Sequence, residues 1–304
     1  MARVFVTRPL AGTAVEQLRA AGHDVVVHPG PLPPTRPELA AGVADAEGLL
    51  CLLTERVDAE LLDGAPRLRA IANYAVGSDN IDAAAAAARG IAVGVTPDVL
   101  TDATADLAMA LLLTAARRLP EAARAVREGR WGTFEPQGWL GLELRGARLA
   151  IVGYGRIGRA VGERAAAFGM ELLPVGRGDD LRAALARADA VTLHCPLTAQ
   201  TRHLIDAAAL AAMRPGAILV NTARGGVIDQ AALVAALRAG RLTAALDVTD
   251  PEPPPPGDPL LTAANVFLVP HIGSATHAAR ERMADLAAAN LIAALAGAPM
   301  PHPA

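Results

Sequence analysis

The feature that most constrains the fold of this sequence is a run of three glycines between a strand pattern and a helix pattern. The run reads Gly153-Tyr154-Gly155-Arg156-Ile157-Gly158. It follows an apolar strand pattern at 149–152 and precedes a helix pattern at 159–168. In this context the glycines allow a tight turn, the close approach of a pyrophosphate and packing of the helix on the strand. The helix N-terminus adds N–H groups and a positive dipole, which favour phosphate.

The glycine run therefore predicts a dinucleotide-binding turn. The residues expected to contact the dinucleotide are Gly153, Gly155, Arg156, Ile157 and Gly158. A glycine-rich turn that binds no ligand is the alternative. The presence of both the flanking strand and the flanking helix argues against that alternative.

Short apolar strand patterns alternate with alanine-rich helix patterns along most of the chain. In the first part, the strand patterns lie at 4–6, 25–27, 48–53, 68–72 and 91–93. In the second part they lie at 149–152, 171–175, 190–195, 217–221, 243–247 and 266–269. One long helix pattern at 101–119 separates the two series, and a final helix pattern runs over 275–296. This alternation is typical of parallel sheets covered by helices, so we expect an α/β fold with two such sheets.

The composition excludes several classes of function. The 304 residues include 28 basic and 31 acidic side chains without a basic stripe, so neither nucleic acid nor an anionic membrane is an expected partner. All the basic residues are arginine, which excludes a Schiff-base lysine and a P-loop lysine. The two cysteines, Cys51 and Cys195, lie far apart in sequence, so we expect no metal site. A small-molecule ligand remains the expected partner.

The location of the protein is expected to be the cytoplasm. The longest apolar stretch, at 107–116, is too short to span a bilayer. The N-terminal residues have the pattern of a strand and lack the order of regions found in a signal peptide.

Three polar segments, at 221–226, 247–253 and 270–276, each follow a strand pattern of the second series. They contain Arg224, Glu252 and His271. Because the carboxyl ends of parallel strands meet at one edge of a sheet, we expect these side chains on the same edge as the glycine run. An arginine binds a carboxylate through two N–H groups, and a histidine donates a proton near neutral pH. A carboxylate beside the histidine favours its charged form.

Each of these residues has a simpler explanation when it is considered alone. Arg224 fits a surface ion pair, Glu252 a solvated loop, and His271 a hydrogen-bonded histidine after a proline. Together, beside a nicotinamide dinucleotide, they meet the requirements for reducing a 2-keto acid: a carboxylate anchor, a proton donor and a hydride donor. The sequence therefore indicates an oxidoreductase that acts on small 2-keto acids.

These segments resemble the D-isomer-specific 2-hydroxyacid dehydrogenase family over almost the whole chain. Residues 72–82 (ANYAVGSDNID) and 96–106 (TPDVLTDATAD) are most similar to the glyoxylate/hydroxypyruvate reductase branch. The resemblance implies two Rossmann-like, doubly wound parallel-sheet domains. The substrate domain is then discontinuous, at 1–97 and 277–304, and the dinucleotide-binding domain lies at 98–276. It also implies NAD(P)H-dependent reduction of glyoxylate, hydroxypyruvate or a related keto acid.

The resemblance further implies roles for individual residues. Those implicated at the substrate are Val76, Gly77, Arg224, Glu252 and His271. Those implicated at the cofactor, besides the glycine run, are Thr104, Thr222 and Asp247. In these roles Arg224 binds the substrate carboxylate together with the N–H groups of Val76 and Gly77. His271 is the general acid, and Glu252 is its partner. Thr104 contacts the nicotinamide end of the cofactor, and Asp247 faces the carboxamide.

The end of the second strand in the dinucleotide domain favours NADPH over NADH. NAD enzymes place an Asp or Glu there, about 20 residues after the glycine run, to bind the ribose hydroxyls. Here Gly176 leaves space, Arg177 offers a guanidinium to the 2′-phosphate, and Arg156 adds a second cation. The alternative is that the short connection that follows brings Asp179 or Asp180 to the ribose, which would restore NADH binding.

A homodimer is expected from the resemblance and from the apolar character of residues 102–119, which exceeds what one domain face would bury. Trp139 either covers a partner's active site or packs locally. Two rival functions share the fold. A 3-phosphoglycerate dehydrogenase-like enzyme is disfavoured because residues 73–78 include no basic side chain. A dinucleotide-sensing corepressor would need partner-binding surfaces that the sequence does not display.

Overall fold

The computed structural model describes residues 1–304. The chain forms two compact units, of which the first comprises Met1–Leu100 and Ala275–Ala304 and the second comprises Thr101–Ser274. The domain boundaries expected from the resemblance lie a few residues away, at 97/98 and 276/277. Each unit contains one parallel sheet.

The first unit contains a five-stranded sheet. Its strands are β1 (Arg3–Val6), β2 (Asp24–Val27), β3 (Gly48–Cys51), β4 (Ala70–Asn73) and β5 (Ala92–Gly94). The helices between them are α1 (Ala14–Ala20), α2 (Arg36–Val43), α3 (Ala59–Asp63) and α4 (Ala83–Ala88). All neighbours pair in parallel, in the order β2-β1-β3-β4-β5. Every residue of β3 and β4 is buried, as expected for strands covered on both faces.

The second unit contains a six-stranded parallel sheet in the order β11-β10-β9-β8-β6-β7. Its strands are β6 (Arg148–Val152), β7 (Glu171–Val175), β8 (Ala190–Leu193), β9 (Ala217–Asn221), β10 (Leu242–Leu246) and β11 (Val266–Leu268). Its helices are α5 (Thr101–Ala116), α6 (Leu119–Arg127), α7 (Arg156–Ala167), α8 (Leu181–Arg187), α9 (Ala207–Ala212) and α10 (Gln230–Arg238). Short 3₁₀ turns lie at Gly225–Val227 and Pro259–Thr262.

The last helix, α11 (His277–Leu295), returns the chain to the first unit. It packs against α1 and against strands β3, β4 and β5. The fully buried Asn290 donates through Nδ2 to the Val95 carbonyl at 3.0 Å and accepts the His302 N–H at 2.9 Å. These bonds fix the C-terminal segment to the sheet. None of the helices, α11 included, has the length and apolar character needed to cross a membrane.

The helix expected over 101–119 is two helices in the structure. Helix α5 ends at Ala116 and α6 begins at Leu119, and between them Arg118 adopts a left-handed backbone with a φ of +52°. Pro120 explains the break. Its ring and its missing N–H prevent it from continuing the preceding helix, whereas the first turn of a new helix accommodates it.

Helix α5 is apolar because it is packed inside the second unit. The helix packs on α7, β9 and β10, and most of its apolar side chains are buried there. Its exposed positions are Asp102, Asp106 and Ala110. The inference that this helix leaves an apolar face for a partner subunit is therefore wrong, and a dimer needs a different surface.

Five helices begin with an aspartate N-cap whose carboxylate accepts an N–H of the first turn. These residues are Asp58, Asp82, Asp180, Asp206 and Asp229.

We expect Asp206→Ala to lower the free energy of unfolding by about 1 kcal/mol, because the Ala209 N–H loses its 2.7 Å bond. Asp206→Asn keeps an acceptor oxygen and should lose only a small part of this. Urea unfolding measures both variants, and equal losses would contradict the capping role.

Candidate active site

Gly153 and Gly158 occupy positions where no larger residue fits. Gly153 follows β6 with a φ of +90°, and a Cβ there would lie 2.6 Å from the Cys195 nitrogen. A Cβ on Gly158 would lie 2.3 Å from the Gly153 oxygen. By contrast, a Cβ on Gly155 would meet no atom within 4 Å. The turn is therefore tight on its inner side and open at Gly155, where a pyrophosphate would approach the backbone.

Helix α7 begins at Arg156, earlier than the pattern at 159–168 predicts. Gly155 is its N-cap, with an extended backbone. The N–H groups of Arg156, Ile157 and Gly158 therefore belong to the first turn, where they have no carbonyl partner within the helix. The second half of the glycine run thus supplies the donors and the positive dipole that an anion needs.

The loop after β9 lies close to the loop after β10. A Cβ on Gly225 would lie 2.0 Å from the Thr249 carbonyl oxygen, so only glycine fits there. The Asn221 side chain accepts the Ala223 N–H at 2.9 Å and donates to the Arg224 carbonyl at 2.9 Å. These contacts fix the backbone around Arg224, whose side chain is half-buried.

His271 and Glu252 form a hydrogen-bonded pair. His271 Nδ1 lies 2.5 Å from Glu252 Oε1, and Glu252 Oε2 accepts the Thr249 N–H at 3.3 Å. The two side chains are 24% and 32% exposed, so the pair remains accessible to a small ligand. Because the carboxylate engages Nδ1, Nε2 is the ring nitrogen that can act on a reacting group.

Asp247 holds the turn that contains His271. Its buried carboxylate accepts the N–H groups of Ile272 at 2.6 Å and Gly273 at 2.9 Å, and its carbonyl accepts the His271 N–H at 3.0 Å. Burial raises the pKa of Asp247 despite these donors and the nearby His271. His271 has a φ of +51°, in the left-handed region that costs a non-glycine residue free energy. The bonds from Asp247 stabilise this conformation.

Thr104 and Thr222 also contact loops at this sheet edge. Thr104 Oγ1 donates to the Gly273 carbonyl at 3.2 Å. Thr222 Oγ1 lies 3.4 Å from His194 Nδ1, and Thr192 Oγ1 lies 2.8 Å from His194 Nε2. Burial lowers the pKa of His194 to about 4. His194 is therefore neutral at pH 7, and its two ring nitrogens contact one hydroxyl group on β8 and one directly after β9.

Arg177 lies exposed in the segment after β7. The two carboxylates that follow it in sequence, Asp179 and Asp180, both accept backbone N–H groups. Asp179 Oδ2 accepts the Gly176 N–H at 2.7 Å, and Asp180 Oδ1 accepts the Ala183 N–H at 3.0 Å as the N-cap of α8. Asp179 and Asp180, the two aspartates that could bind the cofactor ribose, thus both stabilise local turns. The Asp179 carboxylate lies at the end of β7.

Val76 and Gly77 lie in the first unit, in the loop after β4. The buried Asn73, at the end of β4, donates from Nδ2 to the Gly77 carbonyl at 2.8 Å and to Asn80 Oδ1 at 2.9 Å. Asn80 in turn donates to the Leu52 carbonyl at 3.0 Å. The backbone expected to bind a carboxylate is therefore fixed by the end of its own strand.

The second unit matches a known family. Residues 109–273 match the profile described as D-isomer specific 2-hydroxyacid dehydrogenase, NAD binding domain. The chain is also 46% identical over 306 residues to the glyoxylate reductase of Korarchaeum cryptofilum, an alignment that covers 96% of this chain and 92% of that protein. The chain belongs to the D-isomer-specific 2-hydroxyacid dehydrogenase family.

Solved structures agree with this membership. The TT0316 protein from Thermus thermophilus is 49% identical, with a TM-score of 0.93 over 99% of each chain. The NADPH-dependent glyoxylate/hydroxypyruvate reductase of Sinorhizobium meliloti, in complex with NADP and malonate, is 34% identical, with a TM-score of 0.87 over 100% of this chain and 96% of that chain. The predicted family, its glyoxylate reductase branch and the two parallel-sheet α/β domains are confirmed.

The cysteines of this 2-hydroxyacid dehydrogenase do not contribute a nucleophile. Cys51 and Cys195 are buried free thiols, and burial raises the pKa of each above its ordinary value. Both are therefore protonated at neutral pH. No group of three or more His, Cys, Asp or Glu side chains is placed to hold a metal ion.

Sequence reasoning missed residues that position the dehydrogenase site. Gln230, the first residue of α10, accepts the Asp250 N–H through Oε1 at 3.0 Å and so supports the loop after β10. Thr249 donates its N–H to Glu252, as described above. The one available signal was Gly225, because a glycine directly after a candidate binding residue indicates a close backbone approach.

We expect His194 to make the stability of the protein depend on pH. In the unfolded chain His194 has its ordinary pKa of 6.5, so as the pH falls below this value the unfolded chain binds a proton that the folded chain excludes. Between pH 7 and pH 5 this should remove about 2 kcal/mol of stability. His194→Gln should lose less stability than wild type over the same interval. Urea unfolding at both pH values measures the difference, and equal losses would exclude this role.

Proposed function

We propose that the protein reduces a small 2-keto acid to the 2-hydroxy acid with NAD(P)H, and that glyoxylate and hydroxypyruvate are its first candidate substrates. The observation that carries the proposal is the 2.5 Å contact between His271 Nδ1 and Glu252 Oε1, on the sheet edge that also contains the glycine turn. The names of the similar proteins from K. cryptofilum and S. meliloti support the same reaction.

The residues at this edge fit a nicotinamide dinucleotide. The open position at Gly155 and the first turn of α7 suit a pyrophosphate. Thr104, Thr222 and Asp247 are the residues proposed to contact the rest of the cofactor. When it is bound, the cofactor supplies a hydride to the substrate.

Three side chains perform the remaining chemistry. Arg224 binds the substrate carboxylate through its planar guanidinium. In the first unit, the N–H groups of Val76 and Gly77 are the donors proposed for a carboxylate. His271 gives a proton from Nε2 to the keto oxygen, which becomes the hydroxyl of the product. Glu252 holds Nδ1 of His271 in place throughout, so that Nε2 faces the reacting group.

Two rival functions are less well supported. A 3-phosphoglycerate dehydrogenase-like enzyme would act on a phosphorylated substrate, and residues 73–78 carry no basic side chain to bind that phosphate. A dinucleotide-sensing corepressor would bind cofactor without turnover. The absorbance of the reduced nicotinamide, followed with glyoxylate, hydroxypyruvate and 3-phosphohydroxypyruvate, distinguishes the three. Cofactor binding without turnover of any keto acid would favour the corepressor.

Replacing His271 by alanine should lower kcat about 10²- to 10⁴-fold while cofactor binding survives, because general acid catalysis is lost.

Arg224→Ala should mainly raise KM for the keto acid. Glu252→Gln should lower kcat, because the carboxylate that holds His271 Nδ1 is replaced by a neutral amide. Near-normal kcat/KM for Arg224→Ala, or a wild-type kcat for Glu252→Gln, would contradict these roles.

We also propose that NADPH is preferred to NADH, with Arg177 at the 2′-phosphate. Wild type should show a higher kcat/KM with NADPH, and Arg177→Ala should weaken NADPH far more than NADH. Asp179→Asn is the matched control, since it keeps an acceptor for the Gly176 N–H and removes a negative charge. It should leave or strengthen the preference. A preference for NADH that disappears in Asp179→Asn would show instead that Asp179 binds the ribose.

We further propose a homodimer that uses the segment 119–140. Its exposed large apolar side chains are Leu119, Val126, Trp131, Phe134, Trp139 and Leu140. Single exposed apolar residues are ordinary, whereas so many in one segment are typical of an interface. The Arg118 guanidinium lies 5.9 Å from the centroid of the Trp139 ring, a local contact that positions this side chain within its own subunit.

Sedimentation at micromolar concentration should give about twice the 31.1 kDa mass of one chain. The double variant Trp131→Ser/Phe134→Ser should shift the protein toward monomer, because it removes two of the largest exposed apolar side chains. Leu261→Ser changes an exposed apolar residue outside the segment and is the control. A monomeric wild type would refute the dimer, and an unchanged double variant would refute this interface.

A further inference from the structure

The loop that contains Glu252 has five prolines within residues 251–256. Proline has no N–H to donate and its ring fixes φ, so this loop is stiff and has few hydrogen-bond donors of its own. The Thr249 N–H is accepted by Glu252 itself, and the Asp258 N–H is accepted by the Pro255 carbonyl. Both of these bonds lie inside the loop. Its orientation in the second unit therefore depends on contacts with other elements at its two ends.

Gln230 makes such contacts at both ends of the loop. It is the first residue of α10 and is half-buried. Its Oε1 accepts the Asp250 N–H at 3.0 Å, two residues before Glu252, and its Nε2 donates to Asp258 Oδ2 at 3.1 Å. Asp258 also accepts the Leu260 N–H through Oδ1 at 2.8 Å. One side chain thus connects the beginning and the end of the loop.

The bridge needs the amide of a glutamine. The amide has an acceptor for the Asp250 N–H and a donor for the Asp258 carboxylate. A glutamate would keep the acceptor, but it would place a second carboxylate where Nε2 now lies, 3.1 Å from Asp258 Oδ2, and the two like charges would repel. The backbone below Gln230 is held separately, because the Asp229 carboxylate accepts the Ala232 N–H at 3.1 Å.

The ion pair at Asp250 is weaker than this bridge. Arg202 Nη2 lies 3.4 Å from Asp250 Oδ2, and the two side chains are 56% and 38% exposed. Exposed ion pairs of this kind contribute little, because water screens them. The position of the loop therefore depends mainly on Gln230.

We propose that Gln230 is a positioning residue that holds the Glu252 carboxylate against His271 Nδ1 by bridging Asp250 and Asp258. The inference rests on the proposed function and adds a residue to its site. The contact between Glu252 Oε1 and His271 Nδ1 is 2.5 Å. A displacement of the loop by about 1 Å would lengthen it beyond the range of a strong hydrogen bond. His271 would then lose the partner that keeps Nε2 on the reacting side.

An exchange of the two bridging side chains tests the proposal. Gln230→Glu should lower kcat on the order of ten- to a hundredfold for the 2-keto acid that wild type reduces fastest, with little change in its KM or in the Kd for NADPH. The double variant Gln230→Glu/Asp258→Asn should recover most of this kcat. It places the donor on the other side of the bridge, keeps an acceptor for the Leu260 N–H and has the net charge of wild type.

Gln17→Glu is the matched control. Gln17 Nε2 donates to Asp285 Oδ1 at 2.7 Å in the first unit, so the same substitution breaks the same kind of bond away from the loop. This variant should keep the wild-type kcat.

A cycle with Glu252 shows whether Gln230 acts through it. Gln230→Leu should lower kcat in the wild-type background and cause no further loss in the Glu252→Gln background. A residue that acts independently of Glu252 would lower kcat by the same factor in both backgrounds.

Proton NMR measures the contact without turnover. The Nδ1 proton of His271, hydrogen-bonded to a carboxylate, should give a downfield signal, and His271→Ala identifies this signal by removing it. Gln230→Glu should weaken the signal, and Gln230→Glu/Asp258→Asn should restore it.

A wild-type kcat for Gln230→Glu, no recovery in Gln230→Glu/Asp258→Asn, or equal losses of kcat in the two backgrounds would overturn the role of Gln230. If wild type reduces no 2-keto acid, the proposed function itself fails. The NMR signal then still decides whether Gln230 holds Glu252 against His271.

Discussion

The parallel pairing of the six strands in the second unit is the constraint on which its site depends. Because all the strands run in one direction, their carboxyl ends meet at one edge, and every loop that leaves this edge can contribute to one site. The glycine turn follows β6, Arg224 follows β9, Glu252 follows β10 and His271 follows β11. Residues far apart in sequence therefore become neighbours without any long connection.

Packing between neighbouring loops then sets the geometry of the side chains proposed to react. Gly225 allows the loops after β9 and β10 to touch, and Asp247 stabilises the left-handed backbone of His271. A strained backbone conformation such as this one persists only where several surrounding contacts hold it in place. The contact between His271 and Glu252 thus depends on residues outside the pair, among them Gly225 and Asp247.

The positions of the strands, and the loops that meet at the carboxyl edge of the sheet, can be predicted from the sequence. Apolar runs bounded by turn residues are compatible with few structures other than buried strands. Strands β7 and β9 have the bounds that their patterns predict. The start of α7 and the break before Pro120 were missed, since helix ends depend on local backbone geometry. The backbone strain at His271 depends on tertiary contacts between residues that are distant in sequence. No local pattern reveals such contacts.

Transfer of deuterium from the cofactor to the substrate is the most direct test of the reaction assigned to this sheet edge. The protein is incubated with glyoxylate and with each C4-deuterated stereoisomer of NADPH in turn, and the product is analysed by mass spectrometry. One of the two isomers should give the 2-hydroxy acid with one deuterium at C2. A hydroxy acid that carries no deuterium from either isomer would contradict direct hydride transfer. So would the absence of product from every 2-keto acid while the cofactor is bound.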